Sequence, residues 1–257
     1  MKNPIRLILV FLVIPVFSFL ESCQMDDEVI IPSSNTFYGS SVPIGKGVAR
    51  AWVSVNSNGD PTAVGINISE KGLEELPDSM AQFVLPLPIG KGKGFYTHAL
   101  LDWNPEGHEP SGTYDLPHFD FHFYIIPNED RMAIGLTDTV KFANAPVSKY
   151  VPSSYMQIPG GVPEMGAHWA DLLSSEFNGQ PFTKTYVWGS YDGKFVFWEP
   201  MVTLKYLLSH PNDLDTLRQP KAYQHDGWYA NSYKVSYSTN LNEYTVALTN
   251  LQFYEGK

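Results

Sequence analysis

Apolar and polar side chains alternate in two neighbouring stretches, residues 47–56 and residues 63–68. Alternation with a period of two is typical of a strand that buries one face. The dipeptide Asn58-Gly59 between them suits a tight hairpin turn, because both residue types tolerate positive φ. These stretches therefore predict a β-hairpin, and Asp192-Gly193 predicts a second tight turn further along the chain.

Short apolar runs bounded by turn residues predict seven more strands. They are Ala81 to Leu87, Phe95 to Trp103, His118 to Ile126, Lys184 to Ser190, Lys194 to Trp198, Tyr233 to Tyr237 and Tyr244 to Phe253. Short helices are predicted at Glu70 to Leu76, Ala167 to Phe177 and Met201 to Ser209. The pattern indicates a mainly β fold, a single barrel- or sandwich-like domain with a few short covering helices.

The N-terminal segment has a different pattern. Lys2 and Arg6 precede an apolar run from Leu7 to Leu20, which is shorter than the about 20 residues that span a bilayer and is typical of a secretory signal. Leu20-Glu21-Ser22-Cys23 resembles the lipobox of bacterial lipoproteins, although a small residue is commoner than Glu21 there. Cys23 is the only cysteine, so we expect it to be lipidated and not paired in a disulfide.

These features divide the chain into three parts. We interpret residues 1–22 as a lipoprotein signal peptide, residues 23–36 as an acidic and polar tether, and residues 37–257 as a single β-rich domain. The cluster Gln24 to Glu28 resembles the surface-export signal of Bacteroidota lipoproteins. We therefore expect an exported outer-membrane lipoprotein that faces the periplasm or the cell surface.

Net charge narrows the classes of partner. The chain carries a formal charge of −10 at pH 7, and a surface this acidic repels nucleic acids and anionic membranes. We expect no nucleic-acid partner, and contact with the membrane only through the N-terminal lipid.

The most informative motif is His118-Phe119-Asp120-Phe121-His122-Phe123, where polar and aromatic residues alternate strictly. On a strand, the two histidines and Asp120 would share one face and the aromatic rings the other. Residues two apart on a strand are about 6.5 Å from each other and residues four apart about 13 Å, whereas a histidine nitrogen lies about 2.1 Å from its metal. Asp120 can therefore share one ion with either histidine, but both histidines cannot reach the same ion without a bulge or strong curvature.

Further ligands have to come from elsewhere in the chain. Glu164 and His168 are four residues apart and would share a face if their segment were helical. We predict a divalent-metal site formed by His118, Asp120, His122, Glu164 and His168. Mixed imidazole and carboxylate ligands suit Zn, Fe or Mn. The alternative is a buried polar network in which the same residues only stabilise the fold.

Three strings carry a resemblance to a known family. They are Leu101-Asp102-Trp103-Asn104-Pro105 with Gly107-His108-Glu109-Pro110, Pro117-His118-Phe119-Asp120-Phe121-His122-Phe123-Tyr124, and Met165-Gly166-Ala167-His168-Trp169. The chain resembles, from about Phe37 to its C-terminus, a family of uncharacterised bacterial envelope proteins similar to a Thermus protein. That Thermus protein is under the control of an envelope-stress sigma factor and assembles as a β-rich ring. The resemblance implies a β-rich fold, a homo-oligomer and an envelope or stress setting, but no substrate.

Several chemistries lack their motifs. The chain has no Gly-x-Ser-x-Gly elbow, and residues 90–94 lack the Gly-Lys-Ser/Thr ending of a phosphate loop. Six tryptophans and fifteen tyrosines could form a glycan-binding face, but we expect Trp103, Trp188, Trp198 and Trp228 to pack in the core. Three hypotheses stay open: a metal-binding envelope lipoprotein, a non-enzymatic oligomeric or ligand-binding lipoprotein with a structural histidine cluster, and a surface carbohydrate-handling protein.

Overall fold

The computed structural model describes residues 35–257, and these residues fall within one compact unit. The predicted signal peptide, Cys23 and most of the predicted tether lie outside the described residues. Asn35 and Thr36, which we assigned to the tether, begin the first strand. Within residues 35–257 no helix is long and apolar enough to cross a membrane.

The alternating segments form fourteen strands. The first seven are β1 Asn35–Tyr38, β2 Val42–Ile44, β3 Gly47–Val55, β4 Pro61–Ser69, β5 Ala81–Pro86, β6 His98–Asn104 and β7 His118–Tyr124. The others are β8 Tyr155–Gln157, β9 Ala167–Asp171, β10 Lys184–Tyr191, β11 Lys194–Thr203, β12 Asn212–Thr216, β13 Gly227–Ser238 and β14 Glu243–Tyr254. Every predicted strand is present, and the two predicted turns join β3 to β4 and β10 to β11.

Helices are few and short. The α-helices are α1 Asn128–Met132, α2 Thr139–Ala143 and α3 Leu204–Leu207, and 3-10 helices occupy Glu70–Leu73, Gly92–Gly94, Ser148–Tyr150 and Ser175–Asn178. The helix predicted at Glu70 to Leu76 is present only as a 3-10 helix. The helix predicted from Met201 is wrong at its start, because β11 continues to Thr203 and the Thr203 side chain then caps α3 by accepting a hydrogen bond from the Tyr206 backbone at 3.3 Å.

The strands form two antiparallel sheets of seven strands each. The first sheet has the order β1-β3-β4-β14-β13-β12, with β2 paired to β3, and the second has the order β5-β6-β7-β11-β10-β9-β8. Neither sheet closes on itself within the part of the chain that the structure describes. The fold is therefore mainly β and sandwich-like, as the sequence pattern predicted, and it is not a closed barrel.

The main core lies between the two sheets. Ile66 and Val246 of the first sheet share a buried cluster with Phe121 of the second, and Phe119 and Phe123 beside it are also fully buried. Burial of each such side chain contributes about 1.5–3 kcal/mol. Three of the four tryptophans considered above, Trp103, Trp188 and Trp198, belong to this core, and Trp228 is only partly buried against it.

The helix predicted from Ala167 to Phe177 is wrong. Residues Ala167–Asp171 form β9, in which His168 lies opposite Gly189 of β10. The reason lies just before the strand, where Gly166 adopts φ 108°, outside the helical region. A Cβ at Gly166 would lie 2.3 Å from the Ser190 carbonyl oxygen, so the close approach of β10 also requires glycine here.

Candidate metal centre

One face of the second sheet is polar where its central strands meet. The pairing of β6 with β7 places Asp102 opposite Asp120 and Asn104 opposite His118. Directly opposed residues point to the same face of a sheet, and the phenylalanines between them fill the core side. The polar side chains therefore project from the face that lies away from the other sheet, and yet every residue of β6 and β7 is buried.

This face carries two groups that each combine two histidines and one carboxylate. We call His108, His118 and Asp120 the first cluster, and His122, His168 and Glu199 the second cluster. Within each cluster, one ligand atom from each residue lies within 4.8 Å of the others. Such triads have the donor composition of open zinc or non-haem iron sites.

In the first cluster, both imidazoles face the same carboxylate. The Nε2 atom of His118 lies 3.1 Å from Asp120 Oδ1, and that of His108 lies 3.3 Å from Asp120 Oδ2. The Nδ1 atoms donate hydrogen bonds to the carbonyl oxygens of Leu116 and Glu109, each at 2.7 Å. A carbonyl oxygen can only accept, so Nδ1 carries a proton in both rings, and the Nε2 lone pair faces Asp120 whenever the ring is neutral.

In the second cluster, Glu199 lies between two imidazoles. The distance from His122 Nε2 to Glu199 Oε1 is 3.4 Å, and that from His168 Nε2 to Glu199 Oε2 is 3.6 Å. On the other side of the ring, His122 Nδ1 lies 3.6 Å from Asp102 Oδ2. Asp102 is thus placed between the clusters, opposite Asp120 on the neighbouring strand and beside His122.

A small residue allows the second cluster to assemble. Gly189 of β10 lies opposite both His168 and Phe197, and a Cβ at Gly189 would lie 2.0 Å from the Phe197 ring. The ring occupies that space, with its centroid 4.9 Å from that of His122 and 5.4 Å from that of His168. Phe197 therefore packs against both imidazoles and limits where they can turn.

Many polar atoms of this face lack a partner. Among the described residues, the buried atoms without a hydrogen bond include both carboxylate oxygens of Asp102, both ring nitrogens of His122, His118 Nε2, Asp120 Oδ1 and Glu199 Oε2. Each unsatisfied buried polar atom costs about 1–3 kcal/mol. A divalent cation bound by Nε2 and carboxylate oxygens would satisfy several of them together, so the donor atoms present fit a metal ion.

The first cluster favours an ionised carboxylate. Burial opposes ionisation of Asp120, but the charge of His118, together with the hydrogen bond and charge of His108, outweighs it and lowers the pKa of this carboxyl. Burial likewise tends to lower the pKa of His108, but the hydrogen bond and charge of Asp120 outweigh it and raise the pKa above the usual 6.5. Asn104 Nδ2 also donates to Asp120 Oδ2 at 2.7 Å.

The second cluster favours neutral groups. Burial, reinforced by the negative charges of Asp120 and Asp102, raises the pKa of Glu199 well above its usual range. Burial lowers the pKa of His122 to about 3 and that of His168 to about 4. Asp102 has a raised pKa too, because of burial and the nearby charge of Asp120.

A cavity of about 490 Å³ opens onto both clusters. His108 and Asp120 line it from the first cluster, and His168 and Glu199 line it from the second. His118 and His122 have no exposed surface. An ion in either cluster would thus be bound mainly by side chains of the sheet, and a ligand would reach it from the cavity. The size of the cavity suits a small organic molecule.

Comparison with known proteins covers a limited part of the chain. A family model described as "TTHB210-like: Hypothetical protein TTHB210" matches residues 56–103. Over that stretch the chain is similar to a Thermus hypothetical protein. The stretch runs from the turn after β3 to the end of β6 and includes Asp102, but it contains no member of either cluster. No curated protein and no solved structure matches the chain.

The structure brings together four of the five residues predicted as ligands. His118 and Asp120 lie in the first cluster, and His122 and His168 lie in the second. The two histidines of β7 thus belong to different groups, in keeping with their spacing along the strand.

Glu164 is the residue that the structure does not bring to either cluster. It adopts φ 63°, and its carboxylate accepts a hydrogen bond from Arg131 Nη1 at 2.8 Å. Its backbone carbonyl accepts a hydrogen bond from Tyr124 Oη at 3.3 Å. Glu164 therefore supports the loop beside the site through Arg131 and Tyr124.

Sequence reasoning left two cluster members out of the ligand set. Glu199 is the only charged residue in the apolar run from Phe195 to Thr203, and a lone carboxylate inside a central strand was a usable signal. His108 follows Gly107 in the loop between β6 and β7, which folds back so that His108 pairs with Tyr114. Only the loop conformation reveals that it reaches Asp120.

Proposed function

We propose that this protein is an exported envelope lipoprotein that binds two divalent metal ions, one in each cluster. The observation that carries the proposal is the direction of four imidazoles, whose Nε2 atoms all point at two carboxylates. A lone pair that faces a carboxylate oxygen is repelled unless a cation or a proton lies between them. Three of these rings also have an oxygen beside Nδ1, as metal-bound histidines usually do.

The donor sets support Zn, Fe or Mn as the ions. Each cluster offers two imidazoles and one carboxylate, which leaves coordination positions open towards the cavity. A divalent ion bound in this way polarises oxygen ligands and lowers the pKa of bound water. The chain's own part is to fix three donors, all from the sheet in the second cluster and with His108 from the loop after β6 in the first, and to leave the fourth side accessible.

The alternative of a purely structural polar network has less support. A network that stabilises a fold pairs its buried donors with acceptors, whereas in residues 35–257 the unpartnered buried atoms concentrate at these histidines and carboxylates. Burial also keeps His122 and His168 neutral at pH 7, so ion pairs with Glu199 cannot hold the second cluster together.

The envelope part of the proposal rests on the sequence alone. Lys2, Arg6 and the following apolar run support export, and Cys23 supports lipidation. Assembly into a ring and a role in envelope stress follow only from the family resemblance and belong to the same proposal. Cys23→Ser should move the protein from the membrane fraction to the soluble fraction, and a protein that stays membrane-bound would contradict lipid attachment.

Metal analysis tests the central claim. The purified protein is stripped with a chelator, dialysed against Zn, Mn or Fe(II), and its bound metal is counted by elemental analysis. We expect two ions per chain and a higher melting temperature, with one ion lost in His118→Ala and the other in His122→Ala. His225→Ala is the control, because His225 is exposed and lies outside both clusters. No retained metal and no thermal shift with any of these ions would overturn the proposal.

A further inference from the structure

The cavity beside the two clusters has an unusual charge distribution. No lysine or arginine from residues 35–257 lines it, whereas four acidic residues do, namely Asp102, Glu109, Asp120 and Glu199. Arg131 influences the pKa of Asp102, but it does not line the cavity and donates hydrogen bonds to Glu164 and Asn128, each at 2.8 Å. The metal ions would therefore be the main positive charges available to a negative group of a ligand.

The balance of charge limits the ligand. Two divalent ions beside three buried carboxylates leave a single positive charge, and the exposed carboxylate of Glu109, which also lines the cavity, reduces it further. Proteins that bind a phosphate dianion usually supply arginine or lysine next to the metal, and the described part of this cavity supplies neither. A head group with one negative charge, or with none, is therefore favoured over a dianion.

The walls of the cavity are largely apolar. Met165, Val187 and Met201 line it with buried side chains, and Met80 and Val162 line it with more exposed side chains. The hydroxyl of Tyr114, another lining residue, donates to Glu176 at 3.3 Å and so is already engaged. A volume of about 490 Å³ between such walls fits a ring or a branched chain.

We propose that the cavity binds a small organic molecule that has an apolar body and one metal-binding head group with at most one negative charge. This inference rests on the proposed metal function. The head group would occupy the open coordination positions, and the body would lie against the methionine and valine side chains. The apolar body should therefore contribute to affinity, and a second negative charge on the head should reduce it.

Binding of matched hydroxamates to the zinc-loaded protein tests the apolar body. Acetohydroxamate and benzohydroxamate share one head group, so titration calorimetry isolates the contribution of the ring. We expect benzohydroxamate to bind at least tenfold more tightly, and both to lose binding when the metal is removed. Equal affinities would overturn the proposal.

Phenyl phosphate tests the charge limit with the same ring. At pH 8 it is a dianion, and we expect it to bind at least tenfold more weakly than benzohydroxamate. Gln82→Lys, which adds a cation to the cavity wall, should reduce that difference. Phenyl phosphate binding as tightly as benzohydroxamate to the unaltered protein would contradict the charge limit.

A variant of the cavity wall separates this inference from the metal function. Val162→Trp fills the cavity at a residue that is 41% exposed, whereas Val147→Trp makes the same change at a residue that is 63% exposed and outside the lining. The first should weaken benzohydroxamate at least tenfold and acetohydroxamate less than threefold, and the second should change neither. Bound zinc is counted in each variant. Zinc retained without any preference for the ring refutes the ligand class alone, whereas zinc that does not bind refutes the metal function.

Discussion

The two clusters contain the same donor groups, but their surroundings shift the pKa values of those groups in opposite directions. In the first cluster, Asp120 is ionised and the pKa of His108 is raised. In the second, the pKa of Glu199 is raised and both imidazoles are neutral down to about pH 4. The environment therefore favours the charged forms of Asp120 and His108 in the first cluster and the neutral forms of all three groups in the second.

The difference comes from their neighbours. Asp120 accepts a hydrogen bond from Asn104 and faces two imidazoles, which favour its charge. Burial raises the pKa of Glu199 and of Asp102, and the charge of Asp120 raises both further. One stabilised carboxylate thus suppresses the ionisation of the next two, as expected for like charges in a buried region. Identical donor sets on one sheet can therefore have their pKa values shifted in opposite directions.

The largest expected effect is the loss of one cluster at a time. Asp120→Asn should weaken metal binding at the first cluster, and Glu199→Gln at the second, each by more than about 100-fold, because outer partners of a metal ligand alone are worth about 10- to 100-fold. Two-site calorimetry measures both affinities. Glu164→Gln is the matched control, since Glu164 lies outside both clusters. Loss of both ions from a single substitution would show that the clusters form one site.

A smaller effect is expected from Asp102, which lies 3.6 Å from His122 Nδ1. Its carboxylate is placed to accept the Nδ1 proton and so to keep the Nε2 lone pair towards Glu199. Asp102→Asn should weaken the second cluster by about 10- to 100-fold and the first by less than threefold. The exposed Asp78→Asn serves as control. An equal loss at both clusters would argue that Asp102 is a shared ligand.

Metal affinity should fall by about tenfold for each pH unit over which binding displaces one proton. The group that loses this proton differs between the two clusters. In Glu199→Gln, the remaining ion competes with the proton of His108, so affinity should fall as pH decreases through and below the raised pKa of that imidazole. In Asp120→Asn, the remaining ion competes with the proton of Glu199. Calorimetry in buffers of different ionisation enthalpy counts the released protons. Binding that releases none would contradict both assignments.

The smallest expected effects are on the stability of the metal-free protein, and they have opposite signs. Because the pKa of Glu199 is raised on folding, its carboxyl contributes favourably to the free energy of unfolding below its unfolded pKa near 4.5. This contribution is lost as pH rises through the folded pKa. Glu199→Gln should therefore stabilise the protein at high pH, by about 1 kcal/mol or more. The lowered pKa of Asp120 gives stability that is present above 3.8 and lost as pH falls, so Asp120→Asn should destabilise it at pH 7 by a similar amount. Urea unfolding measures both, and effects of the same sign would contradict this comparison.

Local patterns predicted most of the fold. Alternation in residues 47–56 and 118–123 identifies strands and their two faces, because side-chain direction along a strand depends only on its own residues. The prediction of a helix from Ala167 was wrong because the conformation of this segment depends on the close approach of β10 to Gly166.

The candidate site was predictable only in part, for a similar reason. His118, Asp120 and His122 lie on one strand, so their shared face followed from sequence. Glu199 meets His122 only through the pairing of β11 with β7, and Glu164 is engaged by Arg131 from another segment. The pairing of distant strands and the conformation of loops depend on contacts between residues that are far apart in the chain. The spacing of residues along one sequence therefore does not reveal them.

Each cluster takes two of its proposed ligands from central strands and one from outside them. His118 with Asp120, and His122 with Glu199, lie on β7 and β11, whose opposite face forms the main core. Such strands open only with free energies close to that of global unfolding, whereas loops open far more readily. His108, on the loop after β6, is therefore the ligand expected to swing away first. We expect the first cluster to exchange its ion faster than the second, because His168, the third ligand of the second cluster, is fixed within β9. The exchange rate of each ion would then depend on its outermost histidine, which is His108 in the first cluster and His168 in the second.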